Sequence, residues 1–178
     1  MKVSYLDLGF RKKIIPSRPL LTASIELTSC CNLDCVHCYI KTDNNAIRKT
    51  EISAKEVCNI LSQMRDAGVV YLNLTGGEPL FRKDFKEIYL FAKKKNFAVT
   101  VITNGTLITE DMVEFFRRYP PLMLEISSYG ITANTYESVT RTPGSFAMFQ
   151  KALDALKGSG VRFTGRVVVI KKNYDEII

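Results

Sequence analysis

Four of the five cysteines in this 178-residue sequence crowd between positions 30 and 38, in the run Cys30-Cys31-Asn32-Leu33-Asp34-Cys35-Val36-His37-Cys38-Tyr39. Cys31, Cys35 and Cys38 stand at C-x3-C-x2-C. A chain that reaches at most ~3.5 Å per residue keeps three such thiols within one tight loop. A secreted disulfide scaffold would spread its cysteines out, whereas a cytosolic cluster of this kind binds metal or does chemistry. Structural zinc prefers four ligands drawn from two separated pairs. Here there is one pair, and the next cysteine, Cys58, falls inside a helical pattern. Iron–sulfur clusters also usually take four cysteines, so three close thiolates suggest a cluster with one iron open to another ligand. On spacing alone, a Cys/His zinc site using Cys30 or His37 and a set of plain buried cysteines stay open as alternatives.

Other polar groups recur at regular distances downstream. Gly76-Gly77-Glu78-Pro79 follows an apolar run; it is either a simple turn or a set of exposed amides suited to an anionic or zwitterionic ligand, with Glu78 able to bind an ammonium. Thr103-Asn104-Gly105 looks like a hairpin turn, but a capped helix follows it rather than an antiparallel strand. Ser127-Ser128-Tyr129-Gly130 closes a third run, and Arg141 lies beyond it.

The elements that must position these groups alternate. Ser24–Thr28, Val69–Thr75, Phe97–Thr103, Leu122–Ser128 and Val161–Ile170 read as strands. Between them, Ser53 and Glu56 form a capping box that opens a helix stopped by Gly68. Asp84–Lys95 is amphipathic, Thr109 caps a helix ended by Pro120-Pro121, and Ser145 caps one running to Lys157. Another helix begins at Tyr174. Strand followed by helix, repeated five times, predicts an α/β fold with a parallel sheet and right-handed crossovers. Periodicity leaves two closures open, a doubly wound sheet and a barrel. No window offers the ~20 apolar residues of a membrane span, and the N-terminus lacks a signal-peptide core, so a cytoplasmic protein is expected. The net charge of +7 comes from scattered basic groups and reads as a solvated surface; nucleic acid is the rival reading.

The run IELTSCCNLDCVHCY resembles the signature loop of radical SAM enzymes, C-x3-C-x-aromatic-C, which follows the first strand of their barrel. The resemblance continues through GGEP, TNG, SYG and TYESVTRTPGSF, in order on successive strand ends, and spans about residues 20–178. It is similar to the peptide- and protein-maturing branch that carries SPASM-type extensions. It implies a partial (β/α)6 TIM-like barrel with five units visible, an N-terminal extension over 1–20 and the core over 21–178. It implies that Cys31, Cys35 and Cys38 ligate a [4Fe–4S] cluster, and that Cys30 and Cys58 do not. His37, Gly76, Gly77, Glu78, Thr103, Asn104, Ser127 and Arg141 fall at positions that contact S-adenosylmethionine (SAM): His37 against adenine, Gly76–Glu78 at the methionine amino group, Thr103 and Asn104 near the ribose, Ser127 on SAM, and Arg141 at its carboxylate. Val167 and Val168 are further candidates against adenine, with core packing as the alternative. Ser128 and Tyr129 depart from the family's Leu and Asp.

The reaction implied is reductive cleavage of SAM to a 5′-deoxyadenosyl radical, which takes hydrogen from a substrate. No further catalytic side chain is assigned. A peptide or protein substrate is favoured, with a flavodoxin or ferredoxin as electron donor and no membrane partner. A non-catalytic iron–sulfur or zinc module, and an RNA- or cofactor-modifying enzyme, are the alternatives. Because the chain stops where a helix begins and the resemblance implies a sixth strand, an incomplete core is expected, with self-association through an exposed barrel edge.

Overall fold

Strands β1 (Thr22–Thr28), β2 (Tyr71–Gly76), β3 (Ala98–Thr103), β4 (Met123–Ser127) and β5 (Phe163–Arg166) lie side by side in one sheet, all parallel and in chain order. That order decides between the two closures. A doubly wound sheet reverses its strand order at a switch point, whereas strictly sequential parallel strands build a barrel wall. The computed structural model describes residues 20–40 and 50–177. The expected extension over 1–20 lies outside the described residues except for Leu20.

Most helices form where the sequence signals them, although Ser145, expected as a cap, is the first residue of a helix that opens on Gly144. Helix α1 (Ala54–Asp66) opens with the predicted capping box: the Ser53 hydroxyl accepts from the Glu56 amide, and the Ser53 amide donates to the Glu56 carboxylate. Helix α2 (Phe85–Lys94) buries Phe85, Ile88, Tyr89 and Ala92, and α3 (Glu110–Arg118) is capped by Thr109. Their apolar faces pack on one side of the sheet against Leu72, Leu74, Val99, Val101, Leu124 and Ile126, where each removes apolar surface from water. The alternate strand residues point to the other face, and that face is polar. Asn73 bonds Ser24 across β2 and β1 at 3.0 Å, and Arg166 pairs with Glu125 across β5 and β4 at 2.8 Å.

Three expectations need correction. An additional helix, α4 (Ala133–Thr140), precedes α5 (Ser145–Leu156) between β4 and β5. The predicted fifth strand, Val161–Ile170, is hydrogen-bonded only over Phe163–Arg166, because no neighbouring strand lies on its outer side among the described residues. Beyond it Asn173 turns the chain, accepting from the Ile170 amide and donating to the Val168 carbonyl. The helix expected from Tyr174 is a single 3-10 turn, Tyr174–Glu176.

Candidate functional site

The loop after β1 is bolted down on two sides. Toward β2, the Glu78 amide donates to the Cys30 carbonyl at 2.8 Å and the Gly77 amide to the Thr28 carbonyl at 2.7 Å. Toward α4, the Asp34 and Val36 amides donate to the Thr140 and Val139 carbonyls at 3.1 and 2.9 Å. Arg141 follows α4 in a left-handed conformation, and its guanidinium grips the Asp34 carbonyl and carboxylate, each at 2.7 Å. Arg141 is thus brought to the cysteine loop but spends its fork on Asp34, a residue for which the sequence offered no signal.

Cys31, Cys35 and Cys38 are half-buried, and Cys35 lies close enough to the other two to feel their charge. Burial, then the neighbouring Cys31 and Cys38, push the Cys35 thiol up to about 12. Burial also raises Cys31, opposed by the Leu33 amide at 3.4 Å and by the Asn104 side chain. A buried thiol of this kind ionises only beside a strong positive charge, which a bound metal supplies. Among the described residues no group of three or more His, Cys, Asp or Glu side chains could hold a metal ion. Three neighbouring thiols are a soft donor set of the kind that suits an iron–sulfur group. Cys58 sits apart on α1, its thiol raised by burial, then by Glu87 and Asp84; Cys30 is buried at the end of β1 with its carbonyl given to Glu78. None of the five forms a disulfide.

At the end of β2 the two glycines serve close approach between chain segments. A Cβ on Gly77 would lie 2.3 Å from the Cys30 carbonyl oxygen, and one on Gly76, whose φ is +136°, would lie 2.2 Å from that of Thr28. The amides of Gly77 and Glu78, expected to be open to a ligand, are already spent on the cysteine loop. Glu78 is completely buried. Its Oε1 accepts from the Thr103 hydroxyl (2.7 Å) and the Leu80 amide (3.0 Å), and its Oε2 from the Asn104 amide (2.7 Å). Burial pushes its carboxyl up to about 7, with the three donors pulling the other way. Glu78, Thr103 and Asn104, read separately in the sequence, are one hydrogen-bonded unit.

The rim of β4 completes the group. The Tyr129 hydroxyl meets both Ser127 and Cys35, and the His37 ring lies 5.0 Å from the Tyr129 ring. Burial lowers the His37 pKa, favouring the neutral ring, and its Nδ1 is buried without a hydrogen-bond partner. The fully buried Tyr136 hydroxyl, behind Tyr129 at 5.7 Å between rings, also lacks one. Such orphaned buried groups call for a partner that is not protein. Glu176 fastens this rim from afar, its carboxylate accepting from the Ile131 and Thr132 amides and the Thr132 and Thr135 hydroxyls. Those donors hold its carboxyl down at about 2. Val167 and Val168, by contrast, are exposed beyond β5 and belong to neither core nor rim.

The predicted site residues other than Val167 and Val168 therefore gather at the C-terminal ends of β1 to β4, Arg141 reaching that end from α4. Tyr136, Asp34 and Thr106 join them without having been foreseen.

Residues 25–178 match the model of the radical SAM superfamily. The chain is 32% identical over 152 residues to an AdoMet-dependent heme synthase of Methanosarcina barkeri, covering 85% of this chain and 43% of that one. It is 31% identical to the subtilosin biosynthesis protein AlbA of Bacillus subtilis (88% and 35% covered) and 34% identical to the mycofactocin maturase MftC of Mycolicibacterium smegmatis (85% and 38%). The chain thus spans 35% to 43% of the length of these relatives. Among solved structures, Streptococcus suis SuiB superposes with a TM-score of 0.75 at 22% identity, over 90% of this chain and 36% of that one. SuiB has also been solved with S-adenosylmethionine and with its precursor peptide SuiA.

Proposed function

The chain belongs to the radical SAM superfamily, and from that premise we propose that its β1–β4 rim is the catalytic core of a peptide- or protein-modifying enzyme. The cofactors of the family are a [4Fe–4S] cluster and SAM, which together supply one-electron cleavage to a 5′-deoxyadenosyl radical for hydrogen abstraction. In the proposed assignment Cys31, Cys35 and Cys38 hold the cluster and Cys30 and Cys58 stay out. The observation that carries this is the trio's mutual proximity in a loop fixed between β2 and α4. A cluster bound there would draw three protein ligands from this loop.

The chain's own residues then bind and orient. The strand-end segment Gly76–Glu78 lies against the cysteine loop and is assigned the methionine end of SAM. The buried Glu78 carboxylate fixes Thr103 and Asn104 as the wall beside it. His37, with a buried unpaired nitrogen against Tyr129, is assigned the adenine side. Ser127 lines the β4 end. Arg141 is paired with Asp34 and is assigned the anchoring of the cysteine loop.

A peptide substrate is supported by AlbA as a bacteriocin biosynthesis protein, by MftC as a maturase and by the precursor peptide bound to SuiB, and a cofactor precursor by the heme synthase. The domain reading (core from residue 21), a cytoplasmic location and a flavodoxin- or ferredoxin-type donor belong to the same proposal. No helix among the described residues is long and apolar enough to cross a membrane. Anaerobic reconstitution followed by dithionite and SAM tests the core: 5′-deoxyadenosine is expected. Cluster loading without it would favour a non-catalytic module.

A further inference from the structure

Asn104 is buried at the end of β3, and every valence of its side-chain amide is spent. Its Oδ1 accepts from both the Thr106 amide (2.9 Å) and the Thr106 hydroxyl (2.7 Å). With two donors on the oxygen, the amide nitrogen must face the opposite way. There one N–H meets Asn32 Oδ1 at 2.9 Å and the other faces the sulfur of Cys31 at 3.8 Å. Asn32 closes the ring by donating to the Thr106 hydroxyl at 2.8 Å. The backbone of Asn104 is equally fixed, its amide given to Glu78. No donor or acceptor of this side chain is left for a sugar hydroxyl.

We propose that Asn104, oriented by Asn32 and Thr106, is a positioning residue for the cluster: it aims an N–H at the ligand sulfur of Cys31 and raises the cluster's reduction potential. This rests on the cluster assignment above. Reduction adds negative charge to the cluster and its sulfurs, and hydrogen-bond donors aimed at those sulfurs stabilise the reduced form. The Leu33 amide supplies a second donor to the same sulfur, so the effect of Asn104 is one of two. The chain thus tunes its first electron transfer from the strand that also carries the Thr103–Glu78 bond.

The test is a potentiometric titration of the full-length protein, reconstituted anaerobically and followed by EPR, with Asn104→Leu beside the wild type. At the wild-type midpoint the ratio of reduced to oxidised cluster is expected to fall about tenfold in the variant, equivalent to about 59 mV for a one-electron couple. Pulsed EPR of the reduced wild type is expected to show an exchangeable-proton coupling that the variant loses. An unchanged potential, or a shifted potential with that coupling intact, overturns the proposal. If Asn104→Leu does not load a cluster, Asn104→Ser is titrated in its place under the same criteria. If neither loads, the residue is structural and the proposal falls. A wild type without any cluster would overturn the cluster assignment itself, a distinguishable result.

Discussion

Replacing Gly77 by Ala tests whether the β2 end and the cysteine loop are one unit. The added Cβ would sit 2.3 Å from the Cys30 carbonyl oxygen, 2.8 Å from its carbon and 2.8 Å from the Ser29 carbonyl oxygen. All three are backbone atoms, so no side chain can swing aside. Restoring ordinary contact requires the two segments to part by about 1 Å. That stretches the bonds from the Gly77 and Glu78 amides, now 2.7 and 2.8 Å, to roughly 3.7 Å, beyond hydrogen-bonding range. Two lost backbone bonds at ~1 kcal/mol each, plus buried groups left unsatisfied, sum to about 2–4 kcal/mol. For a chain of this size that lowers Tm by roughly 5–15 °C. Because the displaced carbonyl belongs to the residue before Cys31, iron and sulfide content should fall in parallel with Tm. Circular dichroism melting and iron–sulfide analysis of the reconstituted variant check both. An alanine variant with wild-type Tm and full iron would refute the reasoning, and the glycine would be a turn residue only.

Single Cys31→Ala, Cys35→Ala and Cys38→Ala variants should each lose most bound iron while Cys58→Ala keeps it; iron assays reversing that order would remove the cluster assignment. Glu78→Gln cannot accept from Thr103, Leu80 and Asn104 together and should cost about 1–3 kcal/mol in a urea melt. It should also flatten a pH dependence: a carboxyl raised to about 7 by burial leaves stability full below the unfolded value, ~4.3, and diminishing as pH rises through 7, so an unaltered slope over that window would contradict it. Glu176, held down at about 2 by its hydrogen bonds, works in the opposite sense, its contribution present above pH ~4.3 and lost as pH falls toward 2. Urea midpoints of apo Glu176→Gln should therefore change less over that range than those of the parent, and equal slopes would exclude the cap. The open outer side of β5, with Phe163, Val167, Val168 and Val169 exposed, should drive self-association. A strictly monomeric mass by light scattering at high protein concentration would dismiss that contact.

Spacing made the cysteine loop legible, because the chemistry itself depends on how closely three thiols are tethered. Local signals gave the helices that depend on local bonds: Ser53 with Glu56, and Thr109 with Met112. Helix α4 escaped because ANTYESVT offers only Tyr136 and Val139 as apolar anchors; Thr132 caps it locally, but the turn that carries Thr132 is held by Glu176, 41 to 45 residues away. The length of β5 was overestimated because Val-rich sequence speaks for extended backbone, while a ladder also requires a neighbour. Glu78 was legible as a charged residue after two glycines but not as a buried acceptor, since burial and the Thr103 and Asn104 donors arise only when β2 and β3 are set side by side. Likewise Asp34 became Arg141's partner only through the curl that brings β1 and α4 together.

The twin backbone bonds from Asp34 and Val36 to the end of α4 give the cysteine loop a mechanical role. Among the described residues neither outer strand of the five-stranded wall is paired on its outer side, so the ladder alone does little to stop it from flattening. The loop acts as a strut across the mouth, tying the tip of the first strand to the element that follows the fourth. Flattening the wall would pull Asp34 and Val36 away from Thr140 and Val139 and drag the three thiols apart. A cluster held on those thiols, as proposed, would brace the strut, and the curvature of the sheet would become a quantity the cluster helps to set. Loss of the cluster by oxidation would then be felt as slack across the whole rim, well beyond the loop that held it.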